Sequence, residues 1–540
     1  MPTELSLLRA GIREPRDVAR RFFAILACGA ALASLMACSS PDRGANDGRT
    51  AASHERDSLV FATLRDPETL DPAESADNDS DAVVFSVYET LLTFDREMHI
   101  VGRLAERWNM GADGVTWTFH LRRGVRFHDG TPLDATAVKQ SLDRLRDPVA
   151  AHRNRSILQA IADVHVVDPS TIEIVTAFPF SAFEPTLAHL ATGIVSPTAA
   201  ARWGKAYGRT AEATAGSGAF SVVGWNKDRE VILERNDGYW GDKPRLRQVV
   251  YRPVPEAEAK FAALEAGDVD VIKSVTASAL PRLSGNPKLS VYSVPSISSI
   301  LLKFNCGREP FKDSRLRRAV SYAIDRHEIV DHLFQGVAEV PKGPLGTVIR
   351  YAVPLPEISY DPDKARQLMK EAGHPDGFKA TITTTKRYVM GVEVAEVLAA
   401  QLKRVGIDVS IDVVDMVTFM GRTAATPDQD TRQMYLTGLG ASTADADWAL
   451  RPRFMSSDPI NTTFYKNAEF DRVIVQAMHE EAPTKRRALY KRAEEIVYLD
   501  DPPALWLYHN YNVVAARRTV RGLRLWPLNF VTFEQAYVEP

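Results

Sequence analysis

The sequence predicts an exported α/β protein with more than one packed lobe. Three observations carry that expectation. The chain has 540 residues, more than one hydrophobic core usually organises. Helix-period and strand-period segments alternate along most of its length. An apolar N-terminal run with a basic flank precedes a polar stretch, as an export signal precedes a mature domain.

Hydrophobic residues make up 45% and charged residues 25%, ordinary for a globular chain. The formal net charge is -3. A protein that neutralises polyphosphate usually shows a basic excess, so composition argues against a nucleic-acid partner.

At the N-terminus, Arg20 and Arg21 precede "FFAILACGAALASLMA", Phe22 to Ala37. That run is short for a bilayer span and fits a signal peptide over residues 1–37. It ends in "LMAC", Leu35 to Cys38, which resembles a bacterial lipobox whose cysteine receives lipid; the alternative is an ordinary export signal beside a chance cysteine. A polar, Gly/Ser/Asp-rich tether over residues 38–56 suits a lipid-anchored domain. Arg20-Arg21 followed by Phe23 also loosely matches a twin-arginine signal. Cleavage before Cys38 removes five Arg and three acids and leaves a charge of -5. Cys28 departs with the signal and lipid consumes Cys38, so Cys306 remains alone, with no disulfide and no CxxC pair for zinc.

The elements follow in order. "SLVFATL" (58–64) is a buried strand, and "DAVVFSVYETLLTF" (81–94) has helical spacing. In "DGVTWTFHLRRGVRFHDGTPL" (113–133), Trp117, Phe119 and Leu121 alternate with polar residues; Arg123-Gly124 punctuates; Val125 and Phe127 alternate again. The pattern predicts a two-strand hairpin with a basic outer face and solvent-facing His120 and His128. A helix follows, capped by Thr131 or Asp134 and stopped by Pro148; "STIEIVTAF" is a strand. Gly216 and Gly218 are turn glycines, since Ser221 stands where a phosphate-binding GxGxxG needs its third glycine. A helix from 256 stops at Gly267 before a short strand. A second region begins near Ser293. It holds one long helix from an Asp313 cap to Gly336, and another from Asp361 and Pro362 to Gly373. An amphipathic helix (393–406) and the alternating strand "IDVSIDVV" (407–414) come next.

Catalytic motifs are scarce. His327 and His332 in "HEIVDH" stand at i and i+5, about 140° apart around a helix, so they do not share a metal. There is no GxSxG elbow and no Walker A loop. Asp445 and Asp447 follow the strand-like "MYLTGLG" and precede Trp448, beyond a strand end where α/β folds bind ligands. They can pair with an ammonium group, ligate a cation or act as acid and base; equally, they can be capping residues of a loop. Arg387, between a strand and a helix, can fork onto a carboxylate or lie on the surface. Asp77, Asp79 and Asp81 form an acidic loop before the first long helix, either a solvated helix N-terminus or part of a cationic cleft wall.

These segments resemble, in order along nearly the whole mature chain, the extracytoplasmic solute-binding proteins of family 5, which serve peptide and nickel ABC importers. The matching stretches include "ETLDP", "VYETLLTFD", "LAERWNMGADGVTWTFHLRRGVRFHDGTPLDATAV", "LERNDGYWGDKP", "FNCGREPFKDSRLRRAVSYAIDR", "YDPDKARQLMKEAG" and "AQLKRVGIDV". The resemblance implies a two-lobed periplasmic-binding-protein-like fold of class II, large type. Lobe I would span 57–293 plus 509–540, with an extra subdomain over about 72–215, and lobe II 294–508. It implies a monomer that needs no cofactor or metal, breaks no bond, closes on a solute and hands it to a membrane permease, anchored through Cys38 in the periplasm or on the cell surface. Asp445 or Asp447 would take a peptide's amino terminus, although Ala446 replaces the family's proline between them. Arg387 would take the carboxylate, and Asn78, Asp79 and Ser80 would form the first-lobe cleft loop, with Trp448 beside the site. Gln433 stands where a carboxylate is common. A peptide is the expected ligand. The same fold could instead hold a nickel chelate, haem, glutathione, an opine or a sugar. An exported hydrolase lacks a nucleophile-base constellation, and a transcription regulator lacks an N-terminal DNA-binding helix pair.

Overall fold

The computed structural model describes residues 56–386, 388, 390–423, 426 and 429–540. The signal segment, the tether up to residue 55, Cys38 and Arg387 lie outside the described residues.

One large sheet organises the chain. From one edge its strands run Ile407–Val413, Phe378–Thr384, Met434–Gly440, Leu289–Phe304, Ala504–Arg517, Val271–Lys273, Ser58–Thr63, Gln248–Pro253, Glu230–Arg235 and Phe220–Asn226. Ser58–Thr63 pairs in parallel with both neighbours. Its Phe61 packs into one apolar cluster and Ala62 into another, so helices and loops cover both faces, as a parallel strand requires.

Two long antiparallel strands connect the two ends of this sheet. Leu289–Phe304 has 16 residues and Ala504–Arg517 has 14. Ser293 faces Val513 and Ser299 faces His509 across the ladder. The register slips between Pro295 and Ser299 and again between Ile300 and Leu301. Such bulges bend a strand locally. The Ser299 hydroxyl and His509 Nδ1 are 2.6 Å apart within this bend.

A second sheet of four antiparallel strands lies at the 105–176 segment, in the order Ala105–Met110, Thr116–Leu121, Thr171–Thr176, Ile161–Asp168. Trp117, Phe119 and Leu121 alternate inward as expected. The expected two-strand hairpin does not form. Thr116–Leu121 pairs with Ala105–Met110 and Thr171–Thr176, while 125–128 makes a single bridge, Arg126 to Pro132. Val125 and Phe127 are buried, but their pleat feeds a turn instead of a ladder. His128 is not on the outer face: its ring packs inward with Nε2 3.0 Å from the Gly218 carbonyl.

Two helices differ from their expected bounds. The first runs Asn78–Val87, because the Asp77 carboxylate accepts from the Asp79 and Ser80 N–H groups at 3.0 Å and so starts the helix early. After Tyr88 the backbone extends, and Leu92–Phe94 is a strand paired with Ile100–Gly102. The expected long helix from Asp313 divides into Ser314–Ala323 and Arg326–Leu333, because Asp325 caps a new start, accepting from Glu328 N–H at 3.1 Å. Gly216 packs so tightly that a Cβ would lie 2.1 Å from the Val87 carbonyl, which explains glycine there without any phosphate.

One apolar cluster joins the two halves: Phe119 and Phe183 from the first share it with Leu450, Phe454 and Trp506 from the second. Among the described residues no helix is long and apolar enough to cross a membrane.

Candidate functional site

The Met434–Gly440 strand delivers the chain to a short loop, and Asp445 caps the Ala446–Phe454 helix by accepting from Asp447 N–H at 2.9 Å. Asp445 is fully buried, and Arg486 Nη2 donates to it at 2.9 Å. The same guanidinium donates through Nη1 to the Ser181 carbonyl at 2.9 Å and stacks 4.5 Å from the Tyr351 ring centre. Burial pushes the Asp445 carboxyl up and Arg486 pulls it back. We place the charge on both, because the contact is a direct hydrogen-bonded ion pair. Asp447 receives Arg451 one turn along the helix, with Nε at 3.0 Å and Nη2 at 3.0 Å. The expected aspartate pair is therefore brought together, and each member already holds a guanidinium.

The first-lobe loop divides similarly. Asp79 receives Lys273 Nζ at 2.8 Å and Leu64 N–H at 3.2 Å; the buried Ser80 hydroxyl donates to Asp77 and accepts from Glu68 N–H at 3.0 Å. Asn78 is exposed, and its carbonyl accepts from Lys273 at 3.0 Å. These residues fix the helix start. The carboxylate of this loop that lines a cavity is Asp81.

Asp81 lines a cavity of about 340 Å³. This volume falls at the small end of ligand cavities, about 300–1,000 Å³. The first half contributes Asp81, Phe85 and His189; the second contributes Trp448 and Arg453; the C-terminal segment adds Phe530. Phe85 and Phe530 stack at 4.2 Å, giving the cavity an aromatic wall.

Burial pushes the Asp81 carboxyl up to about 6, against the pull of its Ser75 hydrogen bond; nearby Asp77 pushes in the same direction as burial. His189 accepts from Ala191 N–H through Nδ1 at 3.0 Å. Burial holds it down to about 4, so it is a neutral ring with its proton on Nε2. Arg453 is half-buried, and its Nε is enclosed without a hydrogen-bond partner. No hydrogen bond or ion pair to its side chain forms among the described residues. The cavity thus offers one carboxylate, one unengaged guanidinium and one neutral donor around aromatic walls. This suits a small zwitterion with an apolar body.

Of the expected residues, Trp448 lies on the cavity wall and Asp447 on a small void beside it. Arg453, His189 and Phe85 carried no motif. Their nearest signal was a charge or aromatic interrupting an apolar segment, as Arg453 does in "DWALRPRF".

Comparison with known proteins gives consistent matches. Residues 99–461 match the family described as bacterial extracellular solute-binding proteins, family 5 middle. The chain is 34% identical over 490 residues to the glutathione-binding protein GsiB of Shigella flexneri, covering 88% of this chain and 94% of that protein. It is 33% identical to the GsiB of Escherichia coli K12 with the same coverage. Among solved structures, the periplasmic binding protein DppA of Helicobacter pylori in complex with the peptide STSA superposes with a TM-score of 0.78 at 28% identity, covering 90% of this chain and 99% of that one. NikZ of Campylobacter jejuni with Ni(L-His) superposes at 0.74 and 22% identity, over 86% and 95%, a likeness of fold.

Proposed function

The chain belongs to the bacterial extracellular solute-binding proteins of family 5, two-lobed extracytoplasmic proteins that serve ABC importers, and from that premise we propose that it captures a short peptide in the 340 Å³ cavity. The carrying observation is the pairing of Asp81 and Arg453 around an aromatic wall. Asp81 takes the peptide's ammonium group, Arg453 a carboxylate, and His189 Nε2–H a carbonyl oxygen; Trp448 and Phe85 cover the body. Asp445 and Asp447 shape the loop through their arginines. The peptide bound to DppA supports this class, as does the resemblance to glutathione-binding proteins, since glutathione is itself a small peptide.

The lobes are 57–293 plus 509–540 and 294–508, and they move about the bulged stretch of the two long strands near Ser299 and His509. Ligand favours the closed arrangement, and the permease reads it. The protein acts as a monomer without cofactor and breaks no bond. It is held at the membrane by lipid on Cys38, a placement supported by the "LMAC" motif and the polar segment after it.

Native mass spectrometry of protein purified from its host tests the ligand class. A co-purifying peptide is expected, and a single metal chelate or sugar overturns the reading. Cys38→Ser should release the protein from membranes; retention would overturn the anchor.

A further inference from the structure

The stretch "RRGVRF", Arg122 to Phe127, brings three arginines to one turn, and the 340 Å³ cavity uses none of them. Arg122, Arg123 and Arg126 instead line a second concavity of about 490 Å³, just past the end of the Thr116–Leu121 strand. Val125, Leu133 and Pro169 give it an apolar lining. Two of the arginines are held by neutral partners. Arg122 Nε donates to the Arg103 carbonyl at 2.6 Å, and its guanidinium lies 4.6 Å from the Trp240 ring centre. Arg126 Nη1 donates to the Gly130 carbonyl at 2.8 Å. Arg123 is exposed and forms no hydrogen bond or ion pair among the described residues. A Cβ on Gly124 would meet nothing within 4 Å, so the turn stands clear of the rest of the chain.

The carboxylates of this groove are engaged locally. Asp134 caps the Ala135–Arg146 helix by accepting from Ala137 N–H at 2.9 Å, and Asp168 accepts from Ser170 N–H at 2.7 Å. Outside the lining, Glu106 approaches Arg122 at 3.7 Å. Three guanidiniums against two lining carboxylates leave the groove cationic, in a chain whose formal net charge is -3. Arginines with fixed stems lose little freedom on taking a carboxylate, and arginine beside apolar surface is a common anchor of protein interfaces. A flat bilayer does not fill a concave groove, whereas an extended chain does. We propose that this groove docks an extended acidic segment of a protein partner, Arg123 and Arg126 each taking a carboxylate. For an importer component, that partner is the permease, through an acidic segment on its extracytoplasmic side. None of the groove residues lines the 340 Å³ cavity, so the docking surface stands or falls separately from the ligand.

The test is fluorescence-anisotropy titration of the protein into dye-labelled, end-blocked Gly-Glu-Gly-Glu-Gly and Gly-Gln-Gly-Gln-Gly at low ionic strength. The Glu peptide should bind about ten-fold tighter, and added salt should weaken it. Arg123→Gln with Arg126→Gln should remove the preference. Both side chains are exposed, so the double variant keeps its fold, which circular dichroism verifies. Arg453→Gln, in the ligand cavity, should leave the preference intact. Loss of binding in Arg453→Gln would instead place the peptide in that cavity and overturn the docking groove. Equal affinity for the two peptides, or no binding of either, also overturns it. Phosphatidylglycerol vesicles that sediment wild type but not the double variant, with no preference between the peptides, would assign the groove to a membrane and overturn the protein partner.

Discussion

Arg486 and Asp445 form a buried ion pair that also ties together distant segments of the chain. Nη2 of Arg486 donates to the Asp445 carboxylate at 2.9 Å while Nη1 donates to the carbonyl of Ser181, 305 residues earlier in the chain. Around them, Arg350 N–H donates to the Ala444 carbonyl at 2.8 Å, and Ala446 N–H donates to the Arg350 carbonyl at 3.1 Å. The loop that carries Asp445 is thus held on both sides.

The side chains of Arg486 and Asp445 are 2% and 0% exposed, so removing one partner strands a charge. Asp445→Ala should lower stability by about 3–5 kcal/mol in urea denaturation. Asp445→Ala with Arg486→Met should be less damaging than Asp445→Ala alone, because the double variant leaves no stranded guanidinium. Additive losses would show that the two side chains act separately.

Asp81 makes ligand capture pH-dependent. With its carboxyl at about 6, the anion that receives an ammonium group disappears as pH falls through that value. Affinity for an amine-bearing peptide should drop by about ten-fold per pH unit below 6, and Asp81→Asn should bind weakly with a flat profile. Stability of the unliganded protein should respond in the opposite direction. The folded state keeps this proton between about pH 4 and 6, where the unfolded chain has lost it, so the contribution is greatest below 4 and is lost as pH rises to 6. Calorimetric titration and thermal melts across this range measure the two effects.

Much of the fold was legible because local signals agreed with it. The strands Ile407–Val413 and Met434–Gly440 and the caps at Asp313 and Asp361 stand where alternation and capping residues put them. The errors arose where two structures share a pattern. Val125 and Phe127 alternate in burial whether they enter a ladder or a turn, and the pairing was decided by strands at 105–110 and 171–176. The helices on either side of Asp325 keep one apolar phase, so periodicity did not reveal the break. The site was less legible. Asp445 and Asp447 look available until Arg486, 41 residues away, and Arg451 are seen to hold them.

His509 ties the bulged strands to pH. It is 3% exposed and burial holds its ring down to about 4. An unfolded histidine takes up its proton near 6.5, so between about 4 and 6.5 the unfolded chain binds more protons and stability falls as pH falls. His509→Gln should flatten this part of the profile while removing the contact to Ser299. If wild type and His509→Gln keep the same slope, some other group, such as His189, carries the acid sensitivity.

Lys303 predicts an alkaline effect of the same kind. Its folded value is lowered to about 7, whereas an unfolded lysine titrates near 10.5. Between those values the unfolded state holds a proton that the folded state has released, so stability of the unliganded protein should rise with pH across that window, on the order of 1 kcal/mol per unit at most. Below about 7 both states are protonated and the folded protein bears the full burden of an enclosed ammonium. Lys303→Met removes the charge and keeps an unbranched side chain that is one heavy atom shorter. The variant should therefore be more stable than wild type at pH 6, and the difference should shrink towards pH 10. Thermal melts of the two proteins at pH 6, 8 and 10 measure that difference. A variant less stable than wild type at pH 6 would mean that the buried ammonium of Lys303 is already compensated in the folded protein.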